Sequence, residues 1–244
     1  MNWTFSSDKM KLVLTPDWFL GSDVCIEVFS FFVLAAFFLI SLRSYRITKN
    51  KGSLYLGVGF LLISLAELST ILTKFVLYYD TMFTQTIGQV IVRYQMVHSV
   101  DIFYYVGFFW HKILTLLGLY IIYRIPKERK ISSDAWLAVY FIILSVVFSQ
   151  FFFHLFHLTA LILLAMITSN YIEIYKENKS KNTKILIIAF SLMALSQVIF
   201  IMSQLNLMYA VGQVIQLVSY IIMLVLIIRI TKNGKKEKQN RHNI

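Results

Sequence analysis

The chain has 244 residues, 58% of them hydrophobic, 16% aromatic and only 14% charged, with a net charge of +11. That apolar share exceeds the roughly 45–50% of an ordinary soluble domain, and the charges are gathered into short stretches that cannot clothe a soluble surface. A soluble globular protein is therefore excluded. The basic excess reads as a topology signal and as contact with anionic lipid headgroups, not as a nucleic-acid surface.

Met1–Leu20 has no basic start followed by an apolar run and a small-residue cleavage site, so the first membrane helix is expected to act as its own insertion signal. Seven apolar stretches follow, at 22–43, 54–78, 98–124, 135–152, 155–175, 185–204 and 208–230. Each is close to the roughly 20 residues that cross a bilayer as a helix. The only prolines are Pro16 and Pro126, and no Pro-rich linker divides the chain. The expected fold is an all-α membrane protein, a seven-transmembrane-helix bundle forming a single domain over 1–244. Cys25 stands alone, which excludes an intramolecular disulfide or a Cys-based cluster.

Basic residues mark every second connection. Arg43, Arg46, Lys49 and Lys51 follow the first stretch, Arg124, Lys127, Arg129 and Lys130 the third, and Lys176, Lys179, Lys181 and Lys184 the fifth. Arg229, Lys232, Lys235, Lys236, Lys238 and Arg241 follow the last. In a seven-helix chain these all fall on one side. The positive-inside rule makes that side cytoplasmic, with the N-terminus outside and the C-terminus inside. A multi-pass protein of the cell membrane is expected.

The sequence also repeats. Residues 45–72 align without gaps on 175–202, matching Tyr45, Lys49, Lys51, Leu56 and Phe60 to Tyr175, Lys179, Lys181, Leu186 and Phe190. With a different offset, Val106, Gly107, Arg124 and Lys127 recur as Val211, Gly212, Arg229 and Lys232. Apolar helices always align to some degree, but the matched loop lysines, Tyr and Gly argue for a 3+1+3 parallel internal repeat. Repeat one would span 22–124, the linker helix 135–152, repeat two 155–230 and a basic cytoplasmic tail 231–244. This organisation is similar in architecture to sugar transporters of the SWEET type and to microbial rhodopsins. The similarity goes no further. No lysine for a retinal Schiff base lies between Asn206 and Ile228, and the membrane helices lack the prolines of the SWEET type.

Polar residues within apolar helices are costly and mark function or pairing. Glu67 lies halfway along helix two, and His111 and Lys112 halfway along helix three. The repeat aligns Gln197 with Glu67 and Gln216 with His111. These five residues form a candidate midplane ligand or ion site. The competing expectation is a self-neutralising pair of Glu67 with Lys112 or His111, plus amides bonding between helices. Lys74, nearer the outer end, is expected to snorkel.

A second group lies at the outer edge. His98 and Asp101 are three residues apart, as are His154 and His157, so each pair shares a helix face. Asp23 and Glu27 lie at similar depth. Imidazoles with a carboxylate suit zinc. The plainer alternative is hydrogen bonding at a wet interface. A haem reading with His111 as axial ligand is weaker, because no second His shares its depth.

No phosphate loop, nucleophile–base set or dinucleotide fingerprint is present. The leading functional expectation is a non-enzymatic ligand-binding or sensor module, or the membrane subunit of a larger complex with a protein partner in the membrane. The second is a small-solute or ion transporter using the midplane residues. The third is a membrane metal-dependent hydrolase at the outer histidines.

Overall fold

A computed structural model describes the backbone of residues 16–19, 21–86, 92–125, 133–149, 152, 154–202 and 206–242. Side chains are described for a slightly narrower set, chiefly 18–19, 21–75, 105–125, 136–149, 154–202 and 207–231. Among these residues all regular structure is helical. A short 3-10 turn, Asp17–Phe19, precedes α1 (Ser22–Thr48), α2 (Lys51–Thr86), α3 (Val92–Arg124), α4 (Ser133–Phe148), α5 (His154–Asn178), α6 (Lys181–Ile201) and α7 (Asn206–His242). Six of them contain stretches long and apolar enough to cross a membrane. The architecture is that of a polytopic membrane protein.

The fourth helix differs from expectation. Its 16 residues span about 24 Å at 1.5 Å per residue, short of the roughly 30 Å of a hydrocarbon core. It stops at Phe148 rather than reaching 152. There the Ser149 hydroxyl turns back to the Val146 carbonyl at 2.7 Å, and Lys112 donates to Ser149 Oγ at 3.0 Å. A side-chain ammonium thus holds the negative end of the α4 dipole. A helical-type bond from the Phe152 N–H to the Phe148 carbonyl, 2.9 Å, carries the chain somewhat further. At the other end of the chain, α7 runs on through His242, so the basic tail continues the last helix.

Helices α1, α2 and α3 pack in sequence, as do α5, α6 and α7. The two triplets meet where α3 packs on α5 and α1 packs on α7, and α4 packs against α3 and α5. The connections are tight and alike. Lys49 and Lys179 both adopt the left-handed conformation, with φ of 54° and 45°. Each N–H returns to the carbonyl of a tyrosine four residues earlier, Tyr45 or Tyr175, at 2.8 Å. This left-handed closure ends α1 and α5, and two residues later Lys51 and Lys181 begin α2 and α6.

Two glycines let the third helix of each triplet approach the second. A Cβ at Gly107 would lie 1.8 Å from Thr73 Oγ1, and one at Gly212 would lie 2.7 Å from the Phe200 ring. Hydroxyls that cannot reach water are satisfied by backbone. Ser64 donates to the Phe31 carbonyl, Ser69 to Gly107 and Ser219 to Ala189, at 3.2, 2.9 and 2.8 Å, tying neighbouring helices together. The core runs through both triplets. Phe37 stacks on Phe60, Phe60 on Phe190 and Phe190 on Tyr171, with centroids 4.7, 6.4 and 5.7 Å apart. Phe32, Leu72, Trp110 and Val225 face outward, as an apolar solvent allows.

Candidate functional site

A cavity of about 250 Å³ lies inside the bundle, lined by α1, α2, α3, α5, α6 and α7 together with Val146 and Ser149 at the end of α4. Glu67, His111, Lys112, Gln197 and Gln216 all line it, although they come from four different helices. Their partners differ from the direct pairing weighed above. Glu67, 6% exposed, accepts a hydrogen bond from the Tyr220 hydroxyl at 3.2 Å. Gln216 Nε2 donates to that same hydroxyl at 3.0 Å, so α7 presents a relay of two polar groups to the carboxylate. His111 Nδ1 lies 2.8 Å from Thr70 Oγ1 and 3.2 Å from the Ala66 carbonyl. A carbonyl only accepts, so Nδ1 carries the proton there.

Lys112 bonds to Ser149 rather than to Glu67. The expected Glu67–Lys112 or Glu67–His111 pair is therefore corrected: the residues line one cavity, but the helix rotations bring each group to a hydroxyl. Among the described residues the ion pairs belong instead to Lys74.

Lys74 overturns its expected snorkelling. It is 2% exposed and donates to Asp23 Oδ2 at 2.6 Å and Glu27 Oε1 at 2.5 Å. Asp23 is fully buried and Glu27 is 5% exposed. The group joins α1 to α2, and Lys74 also lies 3.5 Å from the Tyr209 hydroxyl of α7. Gln213 Nε2 donates to that hydroxyl at 3.2 Å. A charge so far from water persists only when paired and hydrogen-bonded. A signal for this group was present in the sequence. Asp23 and Glu27 are four apart and share a helix face, and a lysine at comparable depth needs an acid.

The outer histidine group is brought together only in part. The backbones of His98 and Asp101 belong to α3, which packs on α5, but their side chains lie outside the described residues. His154 and His157 open α5. His157 Nδ1 lies 2.8 Å from Gln197 Oε1, and His157 lines the central cavity. This links one member of the outer set to the midplane set. Among the described residues no three His, Cys, Asp or Glu side chains are placed to hold a metal ion.

The residues missed by sequence reasoning are Tyr220, Ser149, Tyr209 and Gln213, which supply the hydroxyl and amide partners. Ser, Tyr and Gln in apolar helices carry no charge signal, and their facing depends on helix rotation, which packing sets. No protein-family model matches the chain, and neither a curated protein nor a solved structure matches it significantly.

Proposed function

We propose that this chain is a seven-helix membrane module that binds a small polar ligand in the cavity between its two helix triplets, and serves as a sensor or as the membrane subunit of a larger complex. The observation that carries this reading is the convergence of Glu67, His111, Lys112, Gln197 and Gln216 on one cavity of about 250 Å³. Polar groups at that depth are costly to a bundle, and a cavity with a few convergent polar groups is the usual form of a ligand site.

The two triplets are read as parallel repeats with α4 as the inverting linker. The matched turns at Lys49 and Lys179, and the matched close approaches at Gly107 and Gly212, support this reading. In the accompanying topology the N-terminus is outside, α4 crosses with the help of the turn after Phe148, and the basic connections face anionic headgroups in the cytoplasm.

A second reading, a small-solute transporter, is favoured by one feature. The triplets touch through equivalent pairs, α1 on α7 and α3 on α5, around the cavity. Two repeats rocking about a shared site is a common mode of alternating access.

Thermal unfolding of the purified full chain, measured against a panel of small polar solutes, tests the reading. A ligand that binds the folded state raises the midpoint as its concentration passes its Kd. Uptake of the same solute into proteoliposomes would establish transport, whereas binding without uptake supports the sensor or subunit reading. A panel without any stabilising solute contradicts both.

A further inference from the structure

The cavity's unmet hydrogen-bonding demand is on the acceptor side. Glu27 Oε2 is buried and has no hydrogen-bond partner, although its other oxygen is held by Lys74. Glu67 receives one bond, from Tyr220 at 3.2 Å. Both carboxylates line the cavity. So does Thr115, whose Oγ1 is also buried and without a partner.

The cation on the same wall is better provided for. Lys112 has two oxygens of Ser149, at 3.0 and 3.5 Å, and the end of the α4 dipole. The charge inventory points the same way. Asp23, Glu27 and Glu67 outnumber the two lysines, Lys74 and Lys112, by one, and Lys74 is shared between two of the acids. A buried carboxylate oxygen without a donor is expensive, so the wall calls for a group that donates hydrogen bonds and carries positive charge. Phe200, Tyr209 and Tyr220 line the same space, and aromatic rings attract cations.

We propose that the cavity takes a small organic ammonium ligand, its N–H groups donating to the free oxygen of Glu27 and to Glu67. This inference rests on the reading that the cavity binds a small polar ligand, and it names that ligand's chemical class. Thr115 would accept or donate to a polar substituent of the ligand. Lys112 in the same lining sets a limit on the ligand, because a second positive charge on it would be repelled.

The test uses the full chain in nanodiscs and three probes of equal size: propylammonium, propanol and propionate, each titrated at constant ionic strength. Sodium and potassium chloride are exchanged in parallel, to separate an organic ammonium from an inorganic cation. The expected result is stabilisation by propylammonium at concentrations at least tenfold lower than for propanol, with no stabilisation by propionate. Exchange of the inorganic cation should leave the midpoint unchanged. E67Q is expected to raise the propylammonium concentration required by at least tenfold, leaving the response to propanol unchanged. Should E67Q fail to fold, the comparison of the three probes on the native chain decides alone. Equal potency of propanol or propionate, or full stabilisation by sodium or potassium alone, would overturn the ammonium assignment while leaving a ligand cavity in place. A midpoint indifferent to all of these probes would overturn the assignment too. A midpoint indifferent also to the wider solute panel would remove the cavity reading beneath it.

Discussion

Phe60 of α2 and Phe190 of α6 stack on each other with centroids 6.4 Å apart and planes 4° from parallel. They are also the residues that match when 45–72 is aligned on 175–202. Two equivalent residues of a repeat touch each other only where the axis relating the halves passes between them. If the halves are a repeat, the contact puts their proposed pseudo-twofold through the core, about two helical turns from the level where Glu67 and Gln197 line the cavity.

The matched turns make a backbone prediction. A left-handed conformation costs an ordinary L-residue roughly 1–2 kcal/mol and costs glycine little. Lys already bears that cost, so glycine at either position should stabilise by up to about 1 kcal/mol, while Lys49→Val and Lys179→Val should destabilise through the added strain of a β-branched side chain. Parallel thermal-unfolding curves in detergent would check it. Glycine proving as damaging as valine at either turn would contradict the shared geometry.

The Lys74 group makes an energetic one. Removing the ammonium strands Asp23 and Glu27 together, and breaking a buried pair typically costs about 3–5 kcal/mol. Lys74→Met should lower stability by that order. The triple variant Asp23→Asn, Glu27→Gln, Lys74→Met should recover much of the loss, because no charge is then stranded. A thermally neutral Lys74→Met would mean that the amine reaches water.

Glu67 and Lys112 face one cavity but are held by Tyr220 and Ser149. A double-mutant cycle with Glu67→Gln and Lys112→Met should therefore give a coupling below about 1 kcal/mol, since groups without a shared contact behave nearly additively. A coupling of several kcal/mol would restore the direct pair.

Much of the fold was legible. The seven helices follow from apolar length, and the basic clusters mark the connections in which the turns at Lys49 and Lys179 lie. These are properties of position along a helix axis. What was not legible depends on rotation about that axis. Lys74 turns inward to α1 rather than outward to headgroups, Glu67 turns to Tyr220, and His157 turns to Gln197. Packing of bulky side chains and close approach at Gly107 and Gly212 set those rotations, and neither is encoded in local periodicity. The short α4 escaped for a similar reason, because Ser149 and Lys112 end it by side-chain bonding.

The proposed orientation rests on the basic connections. Single cysteines placed at 45–52 and at 176–184, in a background lacking Cys25, should resist impermeant maleimides in intact cells and react once the membrane is opened. Ready labelling of both loops in intact cells would invert the topology.

Whether the space between the two triplets is a ligand site is decided by a structure of the full chain in nanodiscs, determined with its most stabilising small solute. Non-protein density is expected between α2, α3, α6 and α7, in contact with Glu67 and enclosed by Tyr220 and Gln197. Glu67 and Lys112 should lie on its border rather than bonded to each other. A closed interface with Glu67 bonded to Lys112 and no remaining volume, or density confined to the outer surface of the bundle, would contradict a ligand site there.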